Sequence, residues 1–211
     1  MLMFMLFTNL ATAKLLEINP DHSKVFFEID YMKLTTVTGQ FKTYEGNFKM
    51  TNSEKSISDI IVSIKSDSLD TSNPKRDLHM KGHDFFFSSK YPTVDFRIPG
   101  ISFISVGKKV KLRGDLTIRG IKKAVTLDCI YKGKMIDPWK KENYFFEITG
   151  VINRQNFGFN WNKEFDRGGY LVGDNVRINI SIQAQVAGER TASSTHMTPN
   201  INRHLKKSTT P

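Results

Sequence analysis

Cysteine is nearly absent from this sequence, since Cys129 is the single cysteine in 211 residues. An intramolecular disulfide is therefore excluded, and so is a metal site built from several cysteine ligands. Cys129 lies in a pattern typical of a β-strand, where a lone cysteine acts as a small buried apolar side chain. The chain has to fold around an ordinary hydrophobic core, for which its length and its 39% hydrophobic content suffice.

The common sequence motifs of catalysis are missing as well. The sequence contains no G-x-S-x-G nucleophile motif and no G-x-x-x-x-G-K-[ST] phosphate loop. His79 and His83 have a spacing that would place two imidazoles on one helix face, but H-E-x-x-H is absent and Gly82 is expected to end the helix between them. We therefore expect no catalytic residue, no metal and no cofactor, and predict that the protein is not an enzyme.

The first 13 residues, MLMFMLFTNLATA, contain no charged side chain and end in Ala-Thr-Ala. An apolar stretch followed by A-x-A is typical of a signal peptide, and this one is too short to span a bilayer. The basic residues that normally precede such a stretch are absent, so a buried first strand is the alternative. We predict a signal peptide at 1–13, one domain at 14–187, and a disordered tail at 188–211, which is rich in Ser, Thr, Asn and Pro.

The formal net charge is +10, with a sequence pI of about 9.6. The basic residues are scattered among apolar ones, which fits either a solvated strand face or a weak attraction to anionic membrane lipids. Basic and aromatic residues alternate between Arg154 and Lys163, a pattern that single-stranded nucleic acid binding proteins also show. A secreted protein rarely needs that function, so we expect no nucleic-acid partner.

Strict alternation of polar and apolar residues dominates the rest of the chain. It is clearest in the segment 176–186, where apolar side chains alternate with Arg177, Asn179 and Ser181. Alternation with period two indicates strands that have one buried and one solvated face. Similar patterns place strands near 25–31, 34–50, 57–66, 91–99, 101–106, 110–119, 121–131 and 143–152, with turn signals that include Pro99-Gly100 and Gly173-Asp174.

About eight long antiparallel strands leave two open sheet edges unless the sheet closes into a barrel. One segment, near 74–87, interrupts the strands. Here Pro74 follows two candidate caps, Ser72 and Asn73, and predicts a helix over 75–82, after which Asp84 is expected to cap a second turn carrying three phenylalanines. The predicted fold is an all-β antiparallel barrel of about eight strands with a short helical insert covering one end.

Five segments between Glu17 and Val186, taken in their order along the chain, resemble the YceI-like family of bacterial periplasmic proteins. They are Gly39-x-Phe41-x-x-Tyr44-x-Gly46; Ser68-Leu69-Asp70-Thr71 leading to Arg76-Asp77-x-His79-Met80 and Asp84-Phe85-Phe86; Lys90-Tyr91-Pro92-Thr93 with Phe96; Gly114-Asp115-Leu116-Thr117-Ile118-x-Gly120; and Asn153-Arg154-x-x-Phe157-Gly158 with Trp161. The resemblance implies an extended, lipocalin-like barrel. It also implies a long-chain lipid ligand and a periplasmic location.

By this resemblance, the protein binds a polyisoprenoid, an isoprenoid quinone-like molecule or a fatty-acyl chain, for transport, storage or sensing. The candidate ligand-binding residues are apolar side chains assigned to the inner strand faces and to the helical insert and loops near the barrel mouth. They are Phe27, Ile29, Tyr31, Phe41, Val62, Ile64, Phe85, Phe86, Phe96, Leu112, Leu116, Leu127, Phe146, Phe157 and Trp161. Each of them could equally be a plain core residue.

Two positions differ from the family pattern. Tyr31 replaces a histidine that is frequent in the first strand, and Phe87 replaces a commonly acidic residue after Asp-Phe-Phe. Both changes leave the headgroup of the lipid open. Two other functions also stay open at this point: a lipid-modifying enzyme using the same cavity, and a packed structural barrel without a ligand. A homodimer formed through an exposed strand edge is plausible.

Overall fold

The computed structural model describes residues 12–165 and 169–188. Most of the predicted signal peptide and tail, residues 1–11 and 189–211, therefore lies outside the described residues. The strands are β1 Ala13–Ile18, β2 Lys24–Tyr31, β3 Thr35–Phe41, β4 Tyr44–Thr51, β5 Ser56–Lys65, β6 Leu69–Asp70, β7 Thr93–Ser102, β8 Lys109–Ile118, β9 Ile121–Ile136, β10 Glu142–Asn153, β11 Glu164–Phe165, β12 Gly169–Tyr170 and β13 Val172–Val186. One α-helix, α1 Pro74–Lys81, lies within the described residues.

Eight strands close into an antiparallel barrel, as the sequence predicts. Their order is β1-β4-β5-β7-β8-β9-β10-β13, and β13 pairs back onto β1. β2 continues the path of β1 along β13, and β3 pairs with β2 as β4 pairs with β1. β1 with β2, and β3 with β4, each act as one bent strand, so the barrel is long. Each of the eight strands is paired on both sides.

The two ends of the barrel differ in how they are filled. We call the end with the turns 52–55, 103–108 and 137–141 the closed end, and the end with α1 and the β2–β3 turn the open end. Near the closed end the interior is packed with side chains that are at most 2% exposed, namely Leu16, Met50, Tyr131 and Tyr144. This packing fills the barrel at its closed end.

An ion network lies over the sealed end. Glu142 pairs with Lys14 at 2.5 Å and with Lys134 at 3.0 Å, and the Tyr144 hydroxyl donates to the same carboxylate at 2.8 Å. Lys134 also reaches Glu54, which accepts a hydrogen bond from the Tyr131 hydroxyl at 2.6 Å. These contacts satisfy the polar tips of two buried tyrosines, so the rings can fill the barrel without an unpaired hydroxyl.

The network shifts the pKa values of its members. Hydrogen bonds from Lys14, Tyr144 and Lys134 lower the pKa of Glu142 from 4.5 to about 2. Glu54 and Glu142 in turn raise the pKa of Lys134. The charged forms are therefore the stable forms at neutral pH.

Two strand predictions are wrong in detail. The segment predicted as one strand at 34–50 is broken between β3 and β4 at Lys42 and Thr43, where the chain bends. The strands predicted at 91–99 and 101–106 are a single strand, β7, and the chain leaves the sheet after Ser102.

Pro99-Gly100 is not a turn but lies inside β7, where the register with β5 continues past it. Ser58 is paired with Gly100 and Ile60 with Ile98, while the intervening Asp59 has a φ of 52°. A proline gives no N–H to the ladder. The bulge of β5 at this level faces its other neighbour, because Asp59 and Ile60 lie opposite the single Phe48 of β4. Gly173-Asp174 also lies inside a strand, at a register shift near the start of β13.

The helical insert agrees with its prediction at the first turn and differs after it. Asn73 caps α1 by accepting a hydrogen bond from the Arg76 amide at 3.1 Å, and Gly82 follows the last helical residue. The predicted second helical turn is absent: residues 83–86 form hydrogen-bonded turns, and the Asp84 carboxylate pairs with His79 instead of capping. Among the described residues, no helix has the length and hydropathy needed to cross a membrane.

We predict that the closed-end network makes the free energy of unfolding depend on pH in the acidic range. The folded pKa of Glu142 lies below its ordinary value, so its contribution is complete above about pH 4.5 and is lost as the pH falls toward 2. In wild type the free energy of unfolding should fall over this interval by about 1–2 kcal/mol more than in Glu142→Gln, because the pair is about a third exposed and partly screened. Urea unfolding at a series of pH values measures this difference.

Glu147→Gln is the matched control, since Glu147 lies on the same strand and pairs with Lys132 on the outer surface. In Glu147→Gln the free energy of unfolding should change with pH as it does in wild type. Equal slopes for wild type and Glu142→Gln would contradict the assigned role of the network.

Candidate ligand-binding cavity

An apolar cavity of about 870 Å³ occupies the barrel between the closed-end packing and the open end. All fifteen candidate residues lie on its wall: Phe27, Ile29, Tyr31, Phe41, Val62, Ile64, Phe85, Phe86, Phe96, Leu112, Leu116, Leu127, Phe146, Phe157 and Trp161. Their direct contact with a ligand remains a prediction. The volume lies within the usual range of about 300–1,000 Å³ for small-molecule pockets.

Strand alternation builds this wall. On β13, Ile178 and Ile180 point into the cavity. The residues that follow each of them, Asn179 and Ser181, are exposed on the outside. Across the ladder, Ile148 on β10 is level with Ile180 and also points inward. Period-two alternation on each strand of a closed barrel thus produces a continuous apolar lining.

The list of candidate residues was incomplete. The missed wall residues include Ile60, Ile98, Ile148, Ile178, Ile180 and Ile182. For β13 the signal was present, because the alternation marked one face as buried. Phe26 also reaches the cavity although it neighbours Phe27 on the same strand, and no alternation rule would have selected it.

The cavity reaches solvent between α1 and the β2–β3 turn. Thr35, Asn73, Lys75 and His79 are the exposed side chains on the wall, and all four lie at this end. The remaining described wall residues are buried or half-buried. A long apolar molecule could therefore enter from one direction only within the described part of the chain.

The three consecutive phenylalanines divide between the cavity and the surface turn. Phe86 packs against Phe41 and Phe159 with ring centroids 5.5 and 5.0 Å apart, and Phe85 packs against Trp161 at 5.3 Å. Phe87 has a φ of 47° and points away, toward Tyr91. The first two rings cover the cavity, and the third fixes the turn that carries them.

Arg76 and Asp77 fasten the start of α1 to the barrel. Asp77 accepts hydrogen bonds from the Thr71 amide at 2.9 Å and from its hydroxyl at 2.5 Å. Arg76 donates to the Thr71 hydroxyl at 2.7 Å and to its carbonyl at 2.8 Å. The pair Arg76 and Asp77 therefore positions the helix that borders the opening.

His79 packs edge-on against the rings of both Phe85 and Trp161, with centroids at 5.1 and 5.0 Å. Its Nε2 is 3.1 Å from the Asp84 carboxylate, and His83 lies 3.9 Å from the same carboxylate. The part of the chain that the structure describes contains no group of three or more potential metal ligands. The histidine accordingly joins α1 to the aromatic cover of the cavity.

Arg154 organises the loop on the other side of the opening. It is 5% exposed and donates to the carbonyl oxygens of Phe159 at 2.6 Å, Trp161 at 2.9 Å and Gly173 at 2.8 Å. Burial lowers the pKa of its guanidinium, while Asp174 at 3.1 Å opposes that effect. The aromatic–basic pattern at 154–163 thus has a structural explanation, because the arginine and Phe157 are buried.

The titratable groups on the described wall carry no negative charge. They comprise Tyr31, Lys75, Arg76, His79 and Arg154 near the opening and Tyr44 and Cys129 deeper inside. Burial raises the pKa of the Cys129 thiol to about 12, so the thiol stays protonated and is a poor nucleophile at neutral pH. No Asp or Glu is on the wall within the described ranges.

We predict that Arg154 is essential for the structure of this loop. Arg154→Met leaves several buried carbonyl oxygens without a donor, so the free energy of unfolding should fall by about 2–4 kcal/mol. The control is Arg177→Met, which removes exposed ion pairs to Glu28 and Asp30 and should cost less than about 1 kcal/mol. Urea unfolding of both variants tests this, and similar losses would show that Arg154 is an ordinary surface-like arginine.

Comparison with other proteins places this cavity in a known fold. A model of the YceI-like domain matches residues 16–184. A UPF0312 protein of Photorhabdus laumondii is 31% identical over 144 residues, which cover 68% of this chain and 74% of the relative. A UPF0312 protein of Staphylococcus aureus strain MSSA476 is 30% identical over 171 residues, covering 79% of this chain and 94% of the relative.

Solved structures agree with the sequence match. The Campylobacter jejuni YCEI protein has a TM-score of 0.62 with 28% identity, covering 74% of this chain and 89% of its own. Burkholderia cenocepacia BcnA reaches 0.65 with 20% identity, covering 79% and 98%. A polyisoprenoid binding domain from Saccharophagus degradans reaches 0.59 with 11% identity, covering 81% and 98%, which shows a shared fold. The chain therefore belongs to the YceI-like family.

Proposed function

We propose that the protein binds one long-chain apolar lipid inside the barrel. The observation that carries this proposal is the 870 Å³ cavity, whose described wall is apolar except near the opening. A chain of methylene or isoprene units matches such a wall because it needs no hydrogen-bond partner along its length. Each buried methylene contributes about 0.8 kcal/mol, so a chain of ten or more gives ample affinity before ordering costs.

The cavity volume separates this function from a packed structural barrel. A barrel filled by its own side chains would leave only small voids, because protein interiors are close-packed. Here the interior is filled near the closed end by Leu16, Met50 and two tyrosines, and is empty of side chains above them. The space has the size of a ligand site.

The chemistry of the wall favours binding over lipid modification. An enzyme acting inside the cavity would need two titratable groups facing one another near the reacting atom. The described groups near the opening are cationic or imidazole side chains. The carboxylates that pair with them, Asp84 with His79 and Asp174 with Arg154, lie off the wall. Hence we assign a carrier, storage or sensing role.

The ligand class follows from the family fold and the shape of the cavity. A related fold from Saccharophagus degradans is described as a polyisoprenoid binding domain, which supports a polyisoprenoid, an isoprenoid quinone-like molecule or a fatty-acyl chain here. The apolar leader predicted at 1–13 supports export, and with it a role in the periplasm.

Organic extraction of the purified protein followed by mass spectrometry tests the binding. A long-chain lipid in stoichiometric amount is the expected result, and its mass would identify the chain. A clean extract together with no uptake of added long-chain lipid would refute the proposal and favour the packed structural barrel.

A filling substitution makes a sharper test. Ile180→Trp replaces an aliphatic side chain on the cavity wall with a large indole ring, so bound lipid should fall at least severalfold. The fold should persist, because the ring occupies space that is already present. Ser181→Trp, on the outer face of the same strand, is the matched control and should retain wild-type lipid content. Equal lipid content in both variants, measured by mass spectrometry against protein, would contradict a ligand in this cavity.

A further inference from the structure

A cluster of exposed apolar and basic side chains surrounds the opening of the cavity. Leu34 is 91% exposed, Leu78 is 76% exposed and Met32 is 37% exposed. Met32, Lys33 and Leu34 form the β2–β3 turn between the wall residues Tyr31 and Thr35, and Leu78 lies on α1 within one turn of Lys75. We call Met32, Lys33, Leu34 and Leu78 the rim. None of the four is on the cavity wall.

The backbone of this turn is strained for the residues that form it. Met32 has a φ of 52° and Lys33 a φ of 60°. Asn-Gly adopts this conformation with little strain, whereas a long side chain in the left-handed region costs free energy. Large side chains are nevertheless present at the tip, and none of them belongs to the two hydrophobic core clusters of the described residues. Their placement at the opening is explained if they contact something outside the protein.

Several lysines around the rim have no ion-pair partner among the described residues. Lys33 and Lys75 form no ion pair within the described part of the chain, and Lys81 at the end of α1 forms none either. Two carboxylates near these lysines are engaged elsewhere, since Asp30 pairs with Arg177 and Asp84 with His79. Apolar tips flanked by free lysines are the combination that binds an anionic bilayer surface.

The opposite end also exposes apolar side chains, including Phe103 at 89% and Trp139 at 78%. That end is sealed by buried tyrosines and the ion network around Glu142, so a lipid that left a bilayer there would meet no entrance. The rim instead borders the side on which wall residues are exposed. The location of the entrance therefore decides which end faces the membrane.

We propose that the rim docks the open end of the barrel onto an anionic phospholipid bilayer, so that a lipid passes between membrane and cavity without crossing water. The apolar side chains of Met32, Leu34 and Leu78 enter the interfacial region, and Lys33 and Lys75 contact the anionic headgroups. This surface rests on the proposed lipid-binding function, because an entrance facing a bilayer matters only for a protein that takes up lipid.

Vesicle co-sedimentation of the full chain tests the docking. Wild type should bind vesicles of phosphatidylcholine mixed with phosphatidylglycerol at least about tenfold more strongly than vesicles of phosphatidylcholine alone, and salt should weaken the binding. Equal binding to both kinds of vesicle would overturn the electrostatic part of the proposal, and no binding to either would overturn the whole.

The decisive variant replaces the turn with residues that suit its backbone. Met32→Asn combined with Lys33→Gly and Leu34→Thr should fold at least as stably as wild type, because Asn-Gly relieves the positive-φ strain. Its binding to mixed vesicles should fall roughly tenfold or more. A thermal melt shows that the fold is intact, and wild-type vesicle binding by this variant would overturn the proposal.

The matched control lies at the closed end. Phe103→Ser combined with Trp139→Ser removes two side chains of comparable exposure and should leave vesicle binding unchanged. A loss as large as that of the turn variant would show that the closed end faces the membrane. A wild-type dimer that the turn variant converts to monomers, with vesicle binding unaffected, would assign the rim to a second copy of the chain and also overturn the proposal.

Lipid content separates the two proposals. Because the rim residues are not on the wall, the turn variant should retain the lipid that wild type carries after purification. Lipid in the extract without rim-dependent vesicle binding would refute the docking and leave the binding function standing. Rim-dependent vesicle binding by a protein that neither contains nor takes up lipid would support the docking surface and refute the function of the cavity.

Discussion

Closure of the eight-stranded sheet is the constraint on which the rest of the structure depends. A closed antiparallel sheet removes both edges, but it also sends every second side chain of every strand into one enclosed space. In this chain those side chains are mainly Ile, Val, Leu and Phe, which fill the space near β1 and leave about 870 Å³ elsewhere. The cavity is thus a direct result of strand alternation on a barrel too wide to be filled by its own residues.

The two ends solve different physical problems. At the closed end, Tyr131 and Tyr144 fill the interior, and their hydroxyls are satisfied by Glu54 and Glu142, whose charges are balanced by two lysines. At the open end, buried polar groups fix the surroundings of an entrance: Thr71 and Asp77 hold α1, and Arg154 holds the loop that carries Trp161. These hydrogen bonds hold in place the segments that border the entrance to the apolar space.

The sequence predicted the features that depend on local pattern. Alternation located the main strands and the inner faces of β2 and β13, and the Asn73-Pro74 pair located the start of α1. It failed where pairing with a neighbouring strand overrides a local signal, as at Pro99-Gly100, which stays in register with β5 inside the sheet. The closed-end network was also beyond reach, because Lys14 and Glu142 are 128 positions apart and meet only through barrel closure. Phe26 shows the same limit on the cavity wall.

The rim and the closed-end network are related through stability. A protein that exposes Leu34 and Leu78 and keeps Met32 and Lys33 at positive φ gives up stability at its entrance. The fold can tolerate this because the opposite end is densely packed and its charges are paired, and because Arg154 and Asp77 anchor both sides of the opening. Functional sites commonly sacrifice stability in this way, and the remainder of the structure supplies the margin. The densely packed half of the barrel thus supplies the stability that lets the other half remain hollow, apolar and open.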